Sequence, residues 1–88
     1  MKPSVIFVDD EAPIRDAVKQ WLERSGFEVH LCASGRECLE RLPEDYPGVV
    51  ISDLRMPGMD GMALLEQVQT RDAELPFLLV SAHGDVPQ

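Results

Sequence analysis

The sequence predicts an α/β domain, a parallel sheet with helices packed on both faces. Two observations carry that expectation. Short, β-branched apolar runs alternate with amphipathic segments along the 88 residues, and such alternation closes into parallel sheets through right-handed crossovers. The apolar runs also end on carboxylates or a hydroxyl, at the carboxyl ends of strands where sheets of this kind gather their functional groups.

The first run, Val5-Ile6-Phe7-Val8, is wholly apolar, as a strand buried on both faces would be. Asp9-Asp10-Glu11 ends it, and Pro13 suits the first turn of a helix. Ile14, Ala17, Val18, Trp21, Leu22 and Ser25 then mark one helical face, with Trp21 expected in the core, and the helix stops at Gly26. Between Phe27 and Cys32 the pattern alternates: Phe27, Val29 and Leu31 on one side, Glu28 and His30 on the other. This is a half-exposed edge strand.

Ser34-Gly35-Arg36-Glu37 reads as a capping box that opens a second helix through Leu42, with Pro43 beyond it. Val49-Val50-Ile51 is a buried strand running into Asp53. Arg55 to Gly61 is a loop by its Pro-Gly and Asp-Gly pairs, and the methionines at 56, 59 and 62 are expected to pack against the sheet. Leu64, Leu65 and Val68 face the core from a third helix. Phe77 to Val80 forms the fourth strand, and Ser81-Ala82-His83-Gly84-Asp85 the turn after it.

Composition narrows the functional classes. An apolar fraction of 44% with 27% charged residues suits a folded globular chain and not a disordered one. Lys and Arg total 8 against 16 Asp and Glu, a net charge of −8. Direct nucleic-acid binding by this domain is therefore not expected, because it rests on cationic side chains neutralising phosphates. A cation or a basic partner suits the charge better. No apolar stretch is long enough to span a bilayer. The opening residues meet Asp9 before a signal-peptide core could form, so a cytoplasmic location is expected, with Cys32 and Cys38 as free thiols. Neither a P-loop nor a Gly-rich dinucleotide fingerprint is present.

The strand ends are the centre of the reading. Asp9 and Asp10 follow the first strand, Asp53 the third and Ser81 the fourth. Taken singly, an aspartate here is a helix cap or a turn residue: Asp10 could cap the helix near Ala12, and Asp60 and Asp85 read as turn residues. His30 and His83 lack the Cys or His neighbours of a transition-metal site. Converging on one rim, however, the carboxylates repel one another and call for a hard cation. Mg²⁺ takes one or two carboxylates and leaves positions for phosphate oxygens. Metal-assisted phosphoryl transfer follows, with one carboxylate as nucleophile, and Asp53 is the best placed.

Three stretches, IFVDDE (6–11), ISDLRMPGMDG (51–61) and LLVSAHGD (78–85), resemble the receiver domain of two-component response regulators, and the likeness runs in order through the chain. The HGDVP ending is similar to receivers of enhancer-binding transcription activators of the nitrogen-regulation and dicarboxylate-transport type. The resemblance implies a flavodoxin-like doubly wound sheet of order 2-1-3-4-5, with residues 1–88 a receiver domain lacking its fifth strand and last helices.

Carried over by position, the resemblance makes Asp53 the phosphoacceptor and Asp10 a direct Mg²⁺ ligand, with Asp9 acting mainly through water. The Arg55 backbone carbonyl becomes a further metal ligand. Ser81 becomes the switch hydroxyl, and Ala82 a small residue that leaves the site open to the phosphodonor. The side chains of Arg55 and His83 would tune phosphoryl lifetime. The implied partners are a sensor histidine kinase and a transcriptional output domain outside these residues, and enzymatic turnover is not implied beyond the protein's own aspartyl phosphate. The lysine that pairs with the phosphoryl group has no counterpart in the sequence. The fourth strand, left as an apolar edge, predicts a swapped or edge-paired homo-oligomer. Two other readings stay open: a phosphorylation-silent oligomerising fragment, and a metal-dependent phosphohydrolase working through an aspartyl phosphate.

Overall fold

A computed structural model describes residues 2–81. Seven elements follow one another as β1 (Ser4–Val8), α1 (Ala12–Arg24), β2 (Glu28–Cys32), α2 (Gly35–Arg41), β3 (Val49–Asp53), α3 (Gly61–Arg71) and β4 (Phe77–Val80). The strands form one parallel sheet of order β2-β1-β3-β4. This is the expected order as far as the fourth strand. Strand β1 is central and apolar throughout, and Val5, Ile6, Phe7 and Val8 are all buried.

Alternate residues of a strand point to opposite faces, which assigns the two layers. Ile6, Val8 and Val50 pack with Cys38 of α2 and with Leu64 and Val68 of α3 in one buried cluster. Val5 and Phe7 point the other way, toward the face where α1 buries Leu22. Gly26, at φ +94°, takes the left-handed conformation that turns the chain out of α1 and into β2.

The cap of α2 forms as the sequence predicts. Ser34 Oγ accepts from the Glu37 N–H at 3.1 Å, while the Glu37 carboxylate reaches back to the Ala33 N–H at 2.5 Å. Asp60, read as a turn residue, caps α3 by accepting from the Ala63 N–H at 2.8 Å.

Two expectations need correction, and one alternative falls away. Trp21 is 67% exposed instead of lying in the core. The seam of α1 runs along Ile14, Val18 and Leu22 and turns toward Arg15 and Lys19, which are half-buried, leaving Ala17 and Trp21 facing outward. Long basic side chains can cover apolar surface with their stems. Met62 is also exposed, whereas Met56 is buried and Met59 half-buried against the core; Met62 lies in the first turn of α3, beside the buried Gly61. Asp10 does not cap α1. The N-cap is Glu11, whose side chain makes no cap bond, and its N–H goes to Asp9 Oδ1 instead.

Candidate functional site

The site follows from the register of three neighbouring strands. Val8 pairs with Ser52, and Asp53 pairs with Val80. Asp9, one residue past β1, and Asp53, the last residue of β3, therefore emerge side by side at the carboxyl edge of the sheet. Both are fully buried, and Asp10 beside them is exposed. Each of the three aspartates offers a carboxylate oxygen, and these atoms lie within 4.8 Å of one another.

The backbone around the cluster is fixed from several sides. The Asp9 N–H donates to the Cys32 carbonyl at 3.1 Å, and Arg15 Nη1 donates to the Asp9 carbonyl at 2.8 Å. Asp9 Oδ1 accepts the Glu11 N–H at 2.8 Å, tying the carboxylate to the start of α1. Ser52 Oγ donates to the Asp53 carbonyl at 2.9 Å. The Leu54 N–H continues the pairing to the Val80 carbonyl at 2.8 Å, and the Gly61 N–H closes the following loop on the Leu54 carbonyl at 2.9 Å.

Gly61 is where the loop presses hardest on the strand. A Cβ there would stand 2.5 Å from the Asp53 carbonyl oxygen and 2.7 Å from Leu79 Cδ2. Only glycine lets α3 begin this close to the end of β3.

Three hard oxygen donors crowded this closely fit a divalent cation of the Mg²⁺ type: the donor set is all carboxylate, and a cation offsets its mutual repulsion. The structure thus brings together Asp9, Asp10 and Asp53. Arg55 lies two residues beyond Asp53, is exposed, and lines a surface depression with Leu54, Met56, Pro57 and Asp60. Ser81 follows Val80, the register partner of Asp53, so it leaves the sheet on the same rim, and it is exposed. Ala82, His83 and Asp85 lie outside the described residues.

Sequence reasoning missed three supporting residues. Arg15 and Ser52 act on backbone carbonyls, and no spacing in the sequence announces such contacts. Gly61 was legible only as part of an Asp-Gly turn, although a glycine opening a helix beside a strand-end carboxylate could have suggested close approach.

A family profile described as "Response regulator receiver domain" matches residues 5–88. The C4-dicarboxylate transport transcriptional regulatory protein DctD of Rhizobium meliloti is 49% identical over 85 residues, which are 97% of this chain and 18% of that protein. The DNA-binding transcriptional regulator NtrC of Escherichia coli K12 is 42% identical over 79 residues, covering 90% of this chain and 17% of its own length. The chain thus spans less than a fifth of these two relatives. Among solved structures, FixJ-N superposes with a TM-score of 0.84 at 36% identity, over 99% of this chain and 70% of that one. The chemotaxis protein CheY4 of Vibrio cholerae gives 0.82 at 33% identity, over 90% of this chain and 68% of that one.

Proposed function

Because the chain belongs to the response-regulator receiver-domain family, we propose that Asp53 is its phosphoacceptor and that Asp9, Asp10 and the Arg55 carbonyl hold Mg²⁺ beside it. The observation that carries this reading is the cluster of three aspartates within 4.8 Å, with Asp53 at the tip of β3. Receiver domains of this family take phosphoryl groups from sensor histidine kinases and carry output domains. The relatives are transcriptional regulators by name, so the output proposed here is transcriptional control, in the cytoplasm.

The chemistry is a single displacement. An Asp53 carboxylate oxygen attacks phosphorus, a P–O bond forms, and the donor's bond to phosphorus breaks with its electron pair leaving on the donor. A bound Mg²⁺ would offset the charge of the incoming phosphoryl oxygens. Asp10, exposed, would be the direct ligand, and Asp9, buried and bonded to the Glu11 N–H, would act mainly through water. The Ser81 hydroxyl donates to a phosphoryl oxygen of the product, and small Ala82 leaves the donor a path. The added charge and acceptor oxygens bias a two-state surface.

Intact mass after incubation with a small phosphodonor and Mg²⁺ tests the assignment. One phosphoryl group is expected on the wild-type chain, with none when a chelator is present during incubation and none on Asp53→Asn. A folded wild-type sample that stays unmodified overturns the reading in favour of a phosphorylation-silent fragment. Sustained release of phosphate from a small phosphomonoester would instead favour the phosphohydrolase.

A further inference from the structure

Cys32 and Cys38 take no part in the chemistry of the acidic rim, yet the fold sets them side by side. Cys32 closes β2 and Cys38 lies midway along α2. They are 2% and 0% exposed, belong to the same buried cluster, and are both free thiols. The Cys38 side chain beside it draws the Cys32 thiol below its ordinary range against the effect of burial, with Arg41 adding to the lowering, while the Cys38 thiol is pushed up. Arg41 Nη1 also holds the Leu31 carbonyl at 3.1 Å, which keeps the guanidinium at the end of β2.

Of the two, Cys32 is the one that lines a surface depression, with Lys19, His30, Leu31, Arg41 and Tyr46. A thiol at the edge of a depression with basic groups, and a second thiol in the same cluster, is the arrangement of an attacking and a resolving cysteine.

We propose that Cys32 and Cys38 form a redox modification site, which a hydroperoxide converts to an intrachain disulfide. The Cys32 sulfur attacks the peroxide, its S–H proton passes to the departing oxygen, the O–O bond breaks, and an alcohol leaves (water, for hydrogen peroxide). Cys32 is then a sulfenic acid. The Cys38 sulfur attacks it, the S–O bond breaks, and the hydroxide leaves with the Cys38 proton as a water. Two thiols lose two electrons in all, and the peroxide gains them. Closing the bridge brings the sulfurs to about 2.0 Å. The short helix α2, seven residues long and packed on the edge strand, is the element that shifts to allow it.

The test uses the reduced, folded chain, treated with hydrogen peroxide, quenched, and alkylated under denaturing conditions for intact-mass analysis. Loss of both alkylatable thiols in a monomeric product is expected, reversed by dithiothreitol. Cys38→Ala should leave a sulfenic acid on Cys32 that dimedone traps, and Cys32→Ala should leave Cys38 alkylatable. Since core cysteine variants can fail to fold, the wild-type chain is also oxidised in guanidinium, where bridging should be slower than in the folded state. Both thiols remaining alkylatable after treatment, bridges only between chains, or equal rates folded and unfolded would each overturn the proposal. None of these readouts depends on Asp53 or on Mg²⁺.

Discussion

Asp9 and Asp10 are neighbours of identical chemistry that carry different structural burdens. Asp9 is buried, and its Oδ1 holds the first N–H ahead of α1, whereas Asp10 is exposed and stands in the cluster with no part in that cap. Asp10→Asn should therefore weaken Mg²⁺ binding by about tenfold or more without lowering stability in chelator, since it removes one of three crowded like charges. Asp9→Ala should cost about 1–3 kcal/mol even without metal, because it strips the acceptor from the Glu11 N–H. Thermal melts with and without Mg²⁺ separate the two, and equal losses in chelator would refute this division. Tyr46 supplies a pH prediction. Burial raises its phenol above the ordinary 10.0, against the lowering effect of the 2.5 Å bond to Ser4 Oγ. A raised folded-state value means a contribution that is complete below pH 10 and lost as pH climbs through the higher value. The stability gap between wild type and Tyr46→Phe should accordingly narrow above pH 10, as read by urea midpoints. The acidic triad was legible because strand ends fix where residues emerge; Arg15 and Ser52 were not, because they answer to carbonyl positions that only the folded backbone creates.

The elements divide in the same way. The capping box of α2 and the alternation of β2 were legible because they are local: a side chain bonding three residues on, or a pleat repeating every second residue. The rotation of α1 about its axis was not. Apolar spacing admits Trp21 to the buried face, and the choice of Arg15 and Lys19 instead depends on how the helix sits on β1 and β2, which no residue of α1 specifies alone. The start of α3 is likewise a tertiary fact, and it carries a prediction. Gly61→Ala sets a methyl group 2.5 Å from the backbone oxygen of Asp53, and a backbone atom cannot step aside as a flexible side chain can. A loss of roughly 1–3 kcal/mol is expected, the usual cost of overpacking. Because the clash is with the carbonyl of Asp53, the proposed phosphoacceptor, phosphorylation should slow as well in samples shown to be folded. A urea curve like the wild type's would mean that the loop yields more readily than this packing allows.

At the scale of the molecule, the row Leu31–Phe7–Ile51–Leu78 runs across the face that α1 covers. Phe7 is 2% exposed, Ile51 half-buried and Leu78 55% exposed, so the cover thins steadily toward β4. Among the described residues β4 is also an outer strand of the sheet, with backbone groups facing outward. An apolar edge of this kind is a template for another strand. The 88-residue chain is therefore expected to associate with a second copy through β4. Its charge sets the conditions: at −8 per chain two copies repel, so association should strengthen as salt shortens the screening length to about 8 Å near physiological ionic strength. Light scattering should report twice the chain mass in that buffer and a lower value in dilute salt. Leu78→Lys, which places a charge on the exposed row without touching the acidic triad, should return the chain to a monomer. A wild-type chain that stays monomeric and folded at every salt concentration would show that the edge is protected by something other than a second copy.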